Sequence, residues 1–179
     1  MWVISMHHFD ELVYRSTSFT LNALDELYSK VTDELQTGAS TTSVWNLQMI
    51  QLQKAIIAIG MFSLFESMLQ SELKCRNGFE EAKRALKHSN KEELRDRFED
   101  YISAINVLKH GRGRSYDSLV AKYDILPFRI KLPGENFFHE GDVSQVSTLV
   151  KVNDQFVLDC AEIVEQVSKE IREFISRQS

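Results

Sequence analysis

The sequence predicts an all-α protein built as an antiparallel bundle of four to five helices. Among its 179 residues are only 7 glycines and 2 prolines, and both prolines lie between positions 127 and 133, so little elsewhere interrupts a helix. In four long segments apolar residues recur at alternating steps of three and four, which places them on one side of a helix. Helices of this kind bury their apolar sides most economically in an antiparallel bundle, here expected as a single domain spanning residues 1–179.

The first two long helices are predicted over residues 9–36 and 43–76. The first carries an apolar stripe and ends where a glycine stands at position 38. The second carries two stripes, and a helix that is apolar on two sides is expected to be the buried centre of the bundle. The stripe of the first helix comprises Leu21, Leu24, Tyr28, Val31 and Leu35; those of the second comprise Leu52, Ala55, Ile59, Phe62, Glu66, Leu69 and Leu73, and Ile57, Met61, Leu64 and Met68.

The second half of the chain is predicted to hold two short and two long helices. The short ones span residues 79–87 and 115–123, and the long ones span 90–109 and 154–177. Asn90 with Glu93 resembles a capping box for the helix over 90–109, and Asn153 or Asp154 opens the last helix. Residues 127–152 are expected to be irregular, with the strand-like stretches 128–132 and 148–152 paired as a small hairpin. The cleanest apolar stripe belongs to the last helix: Val157, Cys160, Val164, Val167, Ile171 and Phe174.

Composition narrows the possible functions. A net charge of -5 and a pI of about 5.6 argue against a protein that coats nucleic acid through bulk charge, so an anion site has to be local. Cys75 and Cys160 lie far apart in helical sequence, which predicts no disulfide framework and fits a reducing cytoplasm. The N-terminal residues do not resemble a signal peptide, and no unbroken apolar run reaches the ~20 residues of a membrane span. We therefore expect a cytoplasmic protein with no membrane partner, metal or cofactor.

One polar motif does not fit a packing role. Ser103, Asn106 and His110 are spaced by three and four residues, so they form a polar strip beside the apolar side of their helix. A histidine at the edge of the core can lie near a pocket and still titrate near neutral pH. The strip therefore marks a candidate site late in the helix over 90–109.

Basic residues follow this strip within a few positions. Lys109, Arg112 and Arg114 place three cations within six residues, and the intervening glycines let the backbone approach a bulky ligand before Ser115. This arrangement predicts a small phosphate site in an acidic protein. The alternative is a plain helix end, because Gly111 is an ordinary helix stop and cations there interact favourably with the helix dipole. Residue spacing leaves both interpretations open.

The motif resembles the signature of the HEPN domains (higher eukaryotes and prokaryotes nucleotide-binding), in particular those of bacterial plasmids and defence islands. The resemblance rests on Asn106 and His110 late in a long helix, followed by the Gly-Arg-Gly-Arg-Ser sequence of residues 111–115. It implies a metal-independent endoribonuclease that works as a homodimer with the two motifs facing each other. Other members are antitoxins or binding modules, which implies either a toxin-antitoxin-like setting with a protein partner or a non-catalytic dimerisation module.

The resemblance also implies roles for individual residues. His110 takes the family's histidine and Asn106 its polar position, so both are the expected catalytic pair, while Lys109, Arg112, Arg114 and Ser115 are expected to bind phosphate of RNA or a nucleotide. The family's arginine corresponds to Ile105 in this chain. Either a cation on the other side of His110 supplies the phosphate contact, or the site binds without cleaving.

Glu66 is the other unusual residue, since a carboxylate stands among apolar positions of the second helix. A buried charge is unfavourable unless it is paired. One hypothesis is that Glu66 meets His110 or Arg112 and, with Ser103, supports the motif. The alternatives are a structural ion pair or a position that reaches solvent.

Overall fold

The computed structural model describes residues 6–38, 41–135, 146 and 148–178. Its helices confirm the predicted all-α bundle, and their ends lie within four residues of the predicted ones. The helices are α1 (Met6–Thr37), α2 (Thr41–Glu72), α3 (Gly78–His88), α4 (Glu92–His110), α5 (Arg114–Val120) and α6 (Asp154–Gln178).

The last long helix, α6, lies at the centre of the bundle. It packs against α1, α2, α3 and α4. The predicted stripe from Val157 to Ile171 is confirmed, because all five of its residues over that range are fully buried, and Phe174 packs against the core with part of its surface exposed. The centre of the bundle is therefore occupied by α6, whereas the apolar pattern predicted the second helix there.

The prediction that α2, apolar on two sides, is the buried centre of the bundle is wrong. Helix α2 buries Phe62, Phe65 and Leu69 in the core, but Leu52 is 48% exposed and Leu64 is 63% exposed. Tyr28, expected on the buried stripe of α1, is 46% exposed. Hydrophobic periodicity shows which sides of a helix are apolar, but the number of sides that are covered depends on how many neighbours pack against it.

A cluster of phenylalanines joins α2, α3 and α4. The rings of Phe62 and Phe65 on α2 surround Phe79 of α3 and Phe98 of α4, with centroid distances from 5.4 to 6.4 Å. The first residue of α3, Gly78, is buried against the α2 backbone, where a Cβ atom would lie 2.6 Å from the carbonyl oxygen of Glu66. This close approach fixes α3 beside the middle of α2.

Side chains at the helix ends explain where α3 and α6 begin. The side chain of Asn77 accepts a hydrogen bond from the Glu80 amide, and that of Asn153 accepts one from the Phe156 amide, which confirms the predicted start of α6. The capping box predicted at Asn90 is wrong. Asn90 has a φ of 54°, and the Lys91 amide donates to the carbonyl of Leu86 at 2.9 Å. Asn90 therefore ends α3 in a Schellman motif, because asparagine tolerates the left-handed conformation as well as the capping role.

The two strand-like stretches meet at one point and do not form strands within the described residues. Ile130 and Val150 form an antiparallel bridge, and the Lys131 amide donates to the carbonyl of Leu149 at 2.8 Å. Of the two expected forms, an irregular segment or a small hairpin, the described residues show irregular structure in which the stretches pair antiparallel at this bridge alone. The connection between them lies in residues 136–145 and 147, outside the described part. The hydroxyl of Tyr116 donates to the carbonyl of Lys131 at 2.6 Å, which ties α5 to this bridge.

Candidate phosphate-binding site

The candidate site begins at the C-terminus of α4, where the chain turns sharply into α5. Gly111 has a φ of 74°, and its amide donates to the carbonyl of Val107 at 2.8 Å, so it ends the helix. A residue with a side chain would be strained at this φ, although no atom lies within 4 Å of where a Cβ would stand. Arg112 and Gly113 complete the connection, which we call the α4–α5 turn, and α5 begins at Arg114.

The polar strip predicted on α4 runs from the edge of the core to the solvent. Ser103 and Asn106 are half-buried, whereas His110 is exposed at the end of the helix. Asn106 and His110 are four residues apart, so their side chains leave the same side of α4 on successive turns. An amide at the edge of the core thus lies one turn before an imidazole that is open to solvent.

Asn106 lines a cavity of about 210 Å³ between α2, α3 and α4. Its walls combine apolar side chains with the carboxylates of Glu66 and Glu80 and the ammonium group of Lys109. Two acidic residues and one lysine line the cavity, and Glu80 is paired with Lys83 at 2.7 Å, so the lining lacks the excess positive charge that favours a phosphate. The remaining lining residues are Phe62, Ser63, Asn77, Phe79, Ile102 and Ile105.

The basic residues surround the outside of the α4–α5 turn. Lys109, His110, Arg112 and Arg114 are all exposed, and we call these four residues the basic cluster. The guanidinium carbon of Arg112 lies 5.9 Å from the centre of the Tyr116 ring, a cation–π arrangement. Because Tyr116 is itself buried and bonded to the backbone of Lys131, it gives Arg112 a rigid support.

Ser115 and Asp117 complete the surroundings of the basic cluster on α5. Ser115 is half-buried in the first turn of that helix, and Asp117 is the acidic residue of the same turn. Between Lys109 and Asp117 the chain therefore carries one carboxylate, three lysine or arginine residues and a histidine. The local charge at the turn is positive although the chain as a whole carries -5.

The structure shows the surroundings of Glu66 and of Ile105. Glu66 shares the cavity with Asn106 and Lys109, whereas neither His110 nor Arg112 lines it. The ion pairs of the described residues do not include one between Glu66 and His110 or Arg112, so the structure does not show the hypothesised contact. The two basic residues lie beyond the end of the α4 segment that faces α2. Ile105 is 4% exposed and belongs to the core, so the position that corresponds to the family's arginine presents no group to solvent.

Sequence reasoning missed the contribution of α3 to this region. Asn77 and Glu80 line the cavity because Gly78 brings the start of α3 against α2. The sequence pattern predicts only a short helix over 79–87, which Asn77 precedes. Its nearness to Asn106 and Lys109 depends on tertiary packing, for which the local sequence carries no signal.

Comparison with protein-family models, curated proteins and solved structures finds no match for this chain. The resemblance to the HEPN domains therefore remains a hypothesis that rests on the motif around Asn106 and His110. The structure contains one chain, so the expected homodimer and the expected protein partner also stay predictions.

Proposed function

We propose that this protein binds the phosphates of RNA or a nucleotide at the basic cluster on the α4–α5 turn. The observation that carries the proposal is the exposure of Lys109, His110, Arg112 and Arg114 around one sharp bend. Exposed cations concentrated in an otherwise acidic protein attract a polyanion to that place alone. A helix end that only complements its dipole needs no cations beyond the last turn, yet Arg112 and Arg114 follow the end of α4.

The arginines suit phosphate better than a single carboxylate. Each guanidinium offers a planar fork of donors that matches two oxygens of one phosphate. Arg112 rests on the Tyr116 ring, so it loses less conformational freedom when it binds. Arg112 and Arg114 lie on the two sides of Gly113, a spacing at which they can contact neighbouring phosphates of one strand.

Cleavage of RNA is the finer form of this proposal and follows the HEPN resemblance. In metal-independent cleavage the 2′-hydroxyl attacks the adjacent phosphorus, one group accepts the hydroxyl proton, and another donates a proton to the leaving 5′-oxygen. Histidine is the side chain that most often transfers protons in catalysis, and His110 is the histidine of the basic cluster. Asn106, one turn earlier on α4, orients the imidazole or donates to the phosphate. A pair of copies brings two histidines, one for each proton transfer, so we assign the endoribonuclease activity to a dimer.

The burial of Ile105 favours a second candidate, a non-catalytic module that dimerises or binds a protein partner. Transition-state charge on phosphate is stabilised by a fixed cation, and the position of the family's arginine lies in the core here. Under this alternative the chain retains the fold and the phosphate-binding turn without cleavage. A bacterial defence or toxin-antitoxin-like setting in the cytoplasm is compatible with both candidates.

Binding is tested by fluorescence anisotropy with a labelled single-stranded RNA over a series of salt concentrations. If Lys109, Arg112 and Arg114 each neutralise one phosphate, the logarithm of the binding constant falls with the logarithm of salt concentration with a slope of about -2, since each contact contributes roughly 0.7. The double variant Arg112→Ala with Arg114→Ala is expected to bind more weakly, with a slope of about -0.7. The control is Lys87→Ala, which removes an exposed lysine from the last turn of α3. Equal binding by the double variant and the wild type would contradict the proposal.

Cleavage is tested separately with the same RNA in EDTA, using His110→Ala and Asn106→Ala. Loss of cleavage in the His110→Ala protein, with RNA binding retained, would support the endoribonuclease. Binding without cleavage by the wild-type protein would favour the non-catalytic candidate instead.

A further inference from the structure

The outer face of α2 is an apolar stripe that nothing in the described part of the chain covers. We define this face by Trp45, Met49, Leu52 and Ile56, which are 67%, 53%, 48% and 50% exposed. Their steps of four, three and four are those of the a and d positions of a coiled coil. Side chains with this spacing form a straight stripe about 17 Å long, at 1.5 Å per residue.

This face lies opposite the side by which α2 joins the bundle. The buried residues of this part of α2 include Ile50, Lys54, Ala58 and Met61. At 100° per residue, these positions project from the far side of the helix relative to Trp45 and Ile56. Helix α2 is thus apolar on two opposite sides, and the single chain buries one of them.

The outer face of α2 carries no charged residue, and this favours contact with the same face of a second copy of the chain. Between Thr41 and Phe65 the one charged residue is Lys54, which lies on the buried side and contacts Asp154 at 2.6 Å. A pair related by a two-fold axis places the same surface against itself, so any charge on that surface would meet a like charge. An uncharged apolar stripe avoids that repulsion, whereas it offers nothing to the phosphates of a nucleic acid.

The exposed apolar area of the stripe is of the size of the apolar part of a standard dimer interface. If a fully exposed large side chain presents roughly 200 Å², the four residues offer about 450 Å² of mainly apolar surface per copy. A standard interface takes about 800 Å² from each partner, of which a little more than half is apolar. The stripe therefore supplies the apolar part, and neighbouring polar residues of α2 supply the rest.

A membrane is a poorer occupant of this face. Helix α2 has the length and mean hydropathy of a membrane span, but 44% of its most apolar window is buried inside the bundle. Spanning a bilayer would separate these residues from the core and carry Lys54 into hydrocarbon. Helices that lie on a membrane surface combine their apolar stripe with several lysines and arginines, whereas the one basic residue in this part of α2, Lys54, lies on the buried side.

We infer that two copies of this protein associate through the outer face of α2, with the two helices packed along the stripe of Trp45, Met49, Leu52 and Ile56. This surface is separate from the basic cluster, so the inference does not depend on the proposed function. The interface through the outer face of α2 is a separate proposal from the homodimer that the HEPN resemblance implies, in which the two motifs face each other.

The test is sedimentation velocity of the full chain over a range of concentrations. The wild-type protein is expected to sediment as a dimer, and the double variant Leu52→Glu with Ile56→Glu as a monomer. The matched control is Ile125→Glu, because Ile125 is 76% exposed and lies in the turn after α5. Circular dichroism verifies that the variants stay helical, which we expect because both substituted side chains are about half exposed in the monomer.

A second measurement reports on the stripe directly. The chain has 2 tryptophans, so in a Trp2→Phe background the fluorescence is that of Trp45. Its emission is expected to shift to longer wavelength when the dimer is diluted to monomer, and to be independent of concentration in the double variant. A wild-type protein that is monomeric at every concentration, or a dimer that survives the double substitution, would overturn the inference. A monomer that floats with phosphatidylcholine vesicles would overturn it in favour of a membrane.

Discussion

The contact between α2 and α3 predicts that Gly78→Ala strongly destabilises the protein. A Cβ at this position would lie 2.6 Å from the carbonyl oxygen of Glu66, 2.8 Å from Cβ of Leu69 and 3.0 Å from the amide nitrogen of Gln70. Two of these atoms belong to the helix backbone and cannot rotate away. To restore an ordinary contact of 3.4 Å, the start of α3 has to retreat by 3.4 minus 2.6, or 0.8 Å.

The magnitude follows from two opposing contributions. Overpacking of a rigid contact costs about 1–3 kcal/mol, and the fixed backbone atoms place this site near the upper value. The higher helix propensity of alanine offsets at most about 1 kcal/mol. We therefore expect the free energy of unfolding to fall by about 2 kcal/mol, which lowers the melting temperature by roughly 4–8 °C in a chain of this size.

The assay is thermal unfolding followed by circular dichroism at one protein concentration, because self-association adds stability that depends on concentration. Gly60→Ala is the matched control. It makes the same substitution in the interior of α2, where nothing lies within 4 Å of the new atom. It is expected to raise stability by about 1 kcal/mol. A Gly78→Ala protein as stable as the wild type would refute the close approach of α3 to α2 and, with it, the placement of Asn77 and Glu80 beside Asn106.

Three further predictions concern single residues. Lys74 has a φ of 51°, so Lys74→Gly is expected to raise the melting temperature by about 2 °C as backbone strain is relieved. Burial and a 2.9 Å hydrogen bond to Asp159 raise the pKa of Tyr101 above its ordinary range. The substitution Tyr101→Phe removes this bond and is expected to lower the free energy of unfolding, measured in urea, by about 1–2 kcal/mol. An unchanged urea midpoint of unfolding would show that the bond contributes nothing to stability. Burial also raises the pKa of the Cys160 thiol, so a thiol reagent is expected to label only the half-buried Cys75 in the native protein. After unfolding, both cysteines are expected to react. Rapid labelling of both cysteines in the native protein would contradict this prediction.

The sequence by itself determined the features that depend on neighbouring positions in the chain. The apolar stripe of α6 repeats every three or four residues, so its burial could be predicted without knowing which helices cover it. The four residues of the basic cluster lie within six positions of the sequence. They are therefore close in space wherever the helix ends, whatever packs against it. The capping role of Asn153 is likewise local, because the side chain bonds an amide three residues ahead.

Tertiary structure alone decided the features that depend on which helices pack against one another. The same apolar pattern describes a covered and an uncovered helix side, so Leu52 was expected in the core although it lies on the outer face of α2. Asn90 tolerates two backbone conformations, and the packing of α3 against α4 selected the one that ends α3. Glu66 faces Asn106 and Lys109 instead of His110 because the crossing of α2 and α4, set by the phenylalanine cluster, determines which turns of the two helices meet. Local interactions fix a helix and its ends, but the partner of each side chain depends on helix packing, which a local pattern does not encode.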